Sequence, residues 1–164
     1  KRKLESLEFN DVEAGPTDVK FAKNAPDYRM CKKGLNILGI CNGEKPCRAK
    51  NEKVVCPIGV KLFDLVEDLD QIKCPICEEN ITPLTCIFFR CLYKFNGKKA
   101  EKGKKVEPYK TGYELADKKD SVKFFDTKNG TVIWSRLIIT CREIPSNKET
   151  LQALLAGNIC FWCR

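Results

Sequence analysis

The sequence predicts a mainly β fold with a short C-terminal helix, its β core pinned by four cysteines. Three observations carry this. β-branched and aromatic residues gather in short runs separated by Gly, Pro and Asn. Helical punctuation appears only after residue 145. Cys41, Cys47, Cys74 and Cys77 stand as two pairs with 26 residues between them, a layout of the zinc-ribbon or treble-clef kind in which paired knuckles present thiolates to one metal.

The elements follow in order. Residues 1–33 mix both signs of charge and carry the turn signals Gly15-Pro16 and Ala25-Pro26, which predicts an N-terminal arm with a short strand near Leu4–Phe9. Residues 34–145 are expected to form the zinc-stabilised β domain. Gly34 to Ile40 is apolar and leads into the first knuckle. Lys53–Pro57 and Lys61–Leu65 are short strands, with Pro57 at a break or an edge. Thr85–Phe95 is expected to be one strand. In such a strand Cys86 and Cys91 fall on opposite faces, as buried core thiols. Ser121–Phe125 and Thr131–Thr140, joined by a loop ending in Asn129-Gly130, predict a hairpin. Residues 146–164 are expected to hold a helix and a Cys-rich tail. Ser146 and Glu149 fit a capping box, Leu151, Leu154 and Leu155 share a face, and Gly157 is the stop.

Composition excludes several classes of function. The 164 residues are 43% apolar and 32% charged, a globular balance and not a disordered one. No apolar run approaches the ~18 residues of a membrane-spanning helix. Eleven cysteines accompany no histidine, so histidine-based catalysis and histidine-ligated metals are ruled out. An odd thiol count with no visible signal sequence implies a reducing, cytoplasmic setting and metal-held thiolates.

Cys74-Pro75-Ile76-Cys77 is a tight C-x2-C knuckle, and Cys41 and Cys47 form a wider C-x5-C one. Together they predict one structural zinc. A four-thiolate site is saturated, so that metal holds structure and offers no position for water or substrate. Cys160 and Cys163 form another C-x2-C, a candidate grip for a second metal with Cys31, Cys56 or Cys141.

Net charge is +8, with +5 in residues 92–123, +4 in residues 31–60 and −3 in residues 61–91. The densest cluster, Lys98, Lys99, Lys102, Lys104 and Lys105, lies in an expected mobile loop, 97–108, interrupted by Gly103. With Lys32, Lys33, Arg48 and Lys50 it is the candidate RNA-phosphate contact, and a solvated spacer is the alternative.

Several blocks resemble a known family. Asn24-Ala25-Pro26-Asp27-Tyr28-Arg29 and Gly34 to Cys41 are similar to its APDWR…GLNLEGKC opening. Cys74 to Cys77, with Pro83-Leu84-Thr85-Cys86 and Cys91, resembles its CPMC…PxTCxFxNC block. Phe124 to Trp134 resembles its FDxxxNGTVxW segment. The family is zinc-binding, scattered across eukaryotes, and includes a microsporidian ribosome dormancy factor that occupies the tRNA exit site. The first knuckle is C-x5-C where the family has C-x4-C, Tyr28 stands where Trp is usual, and Cys160 and Cys163 fall outside the pattern. The resemblance implies a monomeric, non-enzymatic protein. It would bind rRNA and ribosomal proteins near the exit site and block translation by occupancy, with no membrane or small-molecule substrate. Some members follow a ubiquitin-like domain, so a zinc-stabilised adaptor of the ubiquitin system is the alternative. A RING knuckle would resemble Cys74–Cys77, but a RING needs eight ligands.

Overall fold

The computed structural model describes residues 5–100 and 105–157. Among them are eleven strands and one α-helix, the mainly β architecture expected. The strands are β1 (Leu7–Asn10), β2 (Thr17–Lys20), β3 (Gly34–Cys41), β4 (Lys53–Gly59), β5 (Leu62–Asp64), β6 (Ile81–Phe89), β7 (Cys91–Lys99), β8 (Glu107–Lys110), β9 (Glu114–Ala116), β10 (Ser121–Phe124) and β11 (Thr131–Arg142).

Two antiparallel sheets share one core. The first runs β1-β11-β7-β8, with β5 also paired to β11 and β9 to β7. The second runs β2-β10-β6-β3-β4. Strand β3 is a near-continuous apolar run because both its faces are covered. Its inner face joins the main core. The outer face joins a smaller cluster of Leu38, Val55, Ile87 and Val122, edged by Cys31, Phe89 and Phe124. Pro57 lies in β4, at the edge of the second sheet, the strand position in which proline is tolerated.

The chain passes between sheets at Arg90, whose φ of 52° is left-handed. The expected strand 85–95 is therefore two strands, one in each sheet. Phe88 and Tyr93, on either side of the turn, stack with ring centroids 3.9 Å apart and planes 8° from parallel. Phe95 and Phe125 meet both rings edge-on. The same turn overrides strand alternation, so Cys86 and Cys91 both lie in the main core, as buried thiols but not on opposite faces of one sheet.

Two further expectations are corrected. The described residues of the expected N-terminal arm, 1–33, do not stand apart, since β1 pairs with β11 in one sheet and β2 with β10 in the other. Nor do β10 and β11 form a hairpin. Strand β10 pairs with β2 and β6, whereas β11 pairs with β1, β5 and β7. Their connection crosses between sheets because Phe125 is drawn into the core, 1% exposed.

The α-helix, α1, spans Lys148–Leu155 and stops before Gly157, whose φ is 77°. Its cap is Asn147, one residue beyond the expected Ser146, and the Asn147 side chain accepts from the amides of Glu149 and Thr150. Cys160 and Cys163 lie outside the described residues. No helix of the described residues is long and apolar enough to cross a membrane.

Candidate metal centre

The first knuckle begins where β3 ends. Cys41 closes that strand, the chain loops out, and Cys47 returns beside it. The Asn51 amide donates to the Cys41 carbonyl at 2.6 Å and the Lys50 amide to the Cys47 carbonyl at 3.1 Å. These bonds draw the longer C-x5-C loop closed. In the second knuckle the Cys74 amide donates to the Glu79 carbonyl at 2.9 Å, and the Glu78 amide to the Cys74 carbonyl at 3.0 Å. Glu78 takes a left-handed φ of 62° to make that turn.

The two knuckles bring four sulfurs together. Sγ–Sγ distances are 3.9 Å for Cys41–Cys47, 3.6 Å for Cys41–Cys77 and 3.8 Å for Cys47–Cys74, and all four sulfurs lie within 4.8 Å of one another. A tetrahedron with metal–sulfur bonds of about 2.3 Å has edges of about 3.8 Å. The cluster can therefore hold one tetrahedral metal ion with all four positions filled by cysteine.

Backbone amides steady these sulfurs in a repeated pattern. Cys47 accepts from the Ala49 amide and Cys74 from the Ile76 amide, each two residues ahead and at 3.4 Å, and the Gly43 and Glu79 amides favour the thiolates of Cys41 and Cys77 in the same relation. An amide dipole aimed at sulfur favours the thiolate. At Cys74, burial pushes the thiol up, but the amides of Cys77 and Ile76 together with the Cys41 and Cys77 side chains outweigh it and hold the group below its ordinary value. At Cys41 burial prevails over the Gly43 amide and pushes the thiol up to about 12. Gly43 leaves room for the second knuckle: a Cβ there would stand 2.8 Å from Glu79 Cβ and 3.4 Å from Cys77 Sγ. The sequence showed the ligands, but not the repeated amide pattern or the reason for Gly43.

The remaining described cysteines do not join this cluster. Cys91 and Cys141 are buried with sulfurs 3.9 Å apart. The Cys91 contact and burial push Cys141 up, and burial alone does so at Cys31. Cys56 accepts from the Lys73 amide and contacts the Gln71 carbonyl. Cys41, Cys47, Cys74 and Cys77 are the one cysteine metal cluster among the described residues.

The candidate RNA contacts divide. Lys99 is corrected: it ends β7 and is 8% exposed, not part of an open loop. Alternation places it on the same face as Tyr93 and Phe95, and its ammonium meets Asp11 and Glu13 at 2.9 Å each, above Tyr109 and Trp134. Burial works against that charge, but the two carboxylates outweigh it and raise the Lys99 pKa. Arg48 is held by Asp27 in a two-point contact of 2.8 and 2.6 Å, and Lys33 pairs with Glu143. Lys32, Lys50, Lys98 and Lys105 are exposed. Lys102 and Lys104 lie outside the described residues.

With β7 reaching Lys99 and β8 starting at Glu107, residues 97–99 and 107–108 of the expected 97–108 loop belong to strands. No protein-family model, curated protein or solved structure matches the chain.

Proposed function

We propose that this chain is a ribosome-binding dormancy factor, stabilised by one structural zinc ion, that occupies the tRNA exit site and catalyses no reaction. The observation that carries this reading is where the family-like blocks lie. Asp27, Tyr28 and Arg29 sit on the first knuckle. Asp27 grips Arg48, the Arg48 guanidinium lies over the Tyr28 ring, and Arg29 reaches Glu52 and the Lys53 carbonyl. Cys74–Cys77 is the second knuckle. Thr85, Phe125 and Asp126 meet Asn10 where the two sheets join. Blocks far apart in sequence thus serve one metal site and one inter-sheet lock, which supports a shared fold and, through it, the function the resemblance implies.

Zinc is the ion that best suits four soft thiolates at these spacings. Its role is to fuse two loops that carry little core of their own, and a saturated site leaves no open position for chemistry. The protein would act in the cytoplasm as a monomer, through surface contacts with rRNA and ribosomal proteins.

The test is sedimentation of cell extract through a sucrose gradient with detection of this chain. Comigration with monosomes supports the proposal. A position at the top of the gradient in dormant cells refutes it, and co-purification with ubiquitin conjugates would move the assignment to the adaptor reading.

A further inference from the structure

Strand alternation sorts the first sheet into two unlike faces. Tyr93, Phe95 and Lys99 of β7, Tyr109 of β8 and Trp134, Leu137, Ile139 and Cys141 of β11 face inward or close the core's end. The residues between them face out, and five of these are Lys or Arg.

The register places the charges side by side. Lys98 is opposite Arg136, and Lys110 is opposite Asn96, the outward residue between Lys94 and Lys98. Arg142 lies one outward position beyond Thr140, which pairs with Lys94. Tyr113 reaches this face, with Lys94 Nζ 4.6 Å and the Arg142 guanidinium carbon 6.0 Å from its ring centroid. None of Lys94, Lys98, Lys110, Arg136 and Arg142 makes an ion pair with a described residue. Two acids share this face: Asp64 on β5, which already accepts from the amides of Val66 and Glu67, and Glu8 on β1, opposite Ile133 near the start of β11. At the second sheet, by contrast, Lys123 of β10 and the neighbouring Lys118 share an ion pair with Asp18 of β2.

We propose that the outer face of the first sheet is the surface on which this protein docks an RNA phosphate backbone. This rests on the ribosome-binding reading and names the surface it uses. Neighbouring strands lie about 4.8 Å apart and alternate residues about 6.7 Å apart, so each of the five cations stands within about one Debye length of its nearest neighbour in the lattice. A regular strand surface holds such charges at fixed spacing, which suits recognition of RNA by shape rather than by base. Tyr113, flanked by two cations, offers a ring on which a base can stack.

The experiment compares the intact protein with a five-site variant (K94Q, K98Q, K110Q, R136Q, R142Q) and a control variant at exposed lysines outside the first sheet (K20Q, K23Q, K119Q). The readouts are anisotropy on a 20-base-pair RNA hairpin across a salt series and co-sedimentation with purified ribosomes. Thermal melting and metal content report the fold. The single exposed changes Lys98→Gln and Lys110→Gln serve if the five-site variant is destabilised.

The expected result is at least about tenfold weaker hairpin binding by the five-site variant, with the log–log salt slope flattened by about 0.9 for each phosphate that is no longer neutralised. Ribosome binding falls in parallel, and the control variant keeps both. Unchanged hairpin and ribosome binding in the five-site variant overturns this surface and leaves the ribosome reading standing. Hairpin binding through this face without ribosome binding keeps the surface and overturns the ribosome reading. Failure of the intact protein on both overturns both. Competition by polyglutamate as effective, charge for charge, as unlabelled RNA overturns the assignment to RNA.

Discussion

Asn10 and Thr85 meet at 2.9 Å across the join between the two sheets. The Asn10 amide nitrogen also faces the carbonyls of Phe125 and Asp126 at 2.9 and 3.1 Å, and its backbone carbonyl receives the Trp134 indole N–H at 3.2 Å. One buried residue thus ties β1 to β6 and to the crossover into β11. Asn10→Ala should destabilise the protein by about 2–3 kcal/mol, because buried carbonyls lose their donor. Asn10→Asp should be worse, since it sets a carboxylate against those carbonyls. Urea unfolding with an unchanged slope checks this. A midpoint equal to the parent would show that the lock carries no stability.

Metal analysis should give one zinc per chain. Cys74→Ser should lose it and be largely unfolded, because structural zinc supplies ~10 kcal/mol or more of apparent binding energy that is also folding energy. A folded Cys74→Ser protein with its usual melting temperature would refute the structural role. A stoichiometry of two would bring Cys160 and Cys163 back as ligands.

Gly43→Ala should keep all four ligands and still bind metal more weakly. The new Cβ would meet Glu79 Cβ at 2.8 Å, a carbon close to the backbone that cannot swing aside, so the second knuckle must move. Competition with a chromophoric chelator should show metal released faster than from the parent, with unfolding following release. Equal release rates would mean that the two loops move independently.

Lys99 provides a pH test. Its pKa is raised in the fold by Asp11 and Glu13, against the cost of burial. A group raised on folding contributes stability that is fully present below its unfolded value, ordinarily about 10.4. That contribution is lost as pH rises through the higher folded value. Lys99→Gln should therefore cost about 1–2 kcal/mol at neutral pH, the cost of breaking a partly exposed ion pair, and the gap to the parent should close above about pH 10.5. A gap unchanged at high pH would place the cost in packing and not in charge.

The features visible in the sequence and those hidden from it have different physical sources. The four ligands and the strand content were visible because thiolate spacing and β-branched runs are local patterns. The Asn129-Gly130 signal misled because turn chemistry names a reversal without naming the partner strand. Phe125, buried against Phe88, Tyr93 and Phe95, decided the crossover, and that contact is long-range. Lys99 was hidden for the same reason, its carboxylate partners lying 88 and 86 residues away. The outward row of Lys94, Lys98, Arg136 and Arg142 was readable in principle. All four sit at even positions in two strands, but the lysine-dense stretch beside them has the composition of a loop.

The proposed mechanism makes the last prediction. Occupancy makes and breaks no bond, so inhibition of translation should be stoichiometric with ribosomes and should reverse on dilution. Phosphate contacts release counterions, so high salt should reverse it too. Deacylated tRNA should compete, because it occupies the proposed site. Titrating ribosomes with the protein while following translation and the integrity of rRNA and ribosomal proteins tests all of these at once. Substoichiometric inactivation, or a cleaved or modified ribosomal component, would require a catalytic site and overturn the occupancy mechanism. Stoichiometric binding that tRNA cannot displace would keep the ribosome as partner and move the site elsewhere. The charge-neutralised first-sheet variant separates these cases further: it should lose inhibition in proportion to ribosome affinity, as occupancy demands.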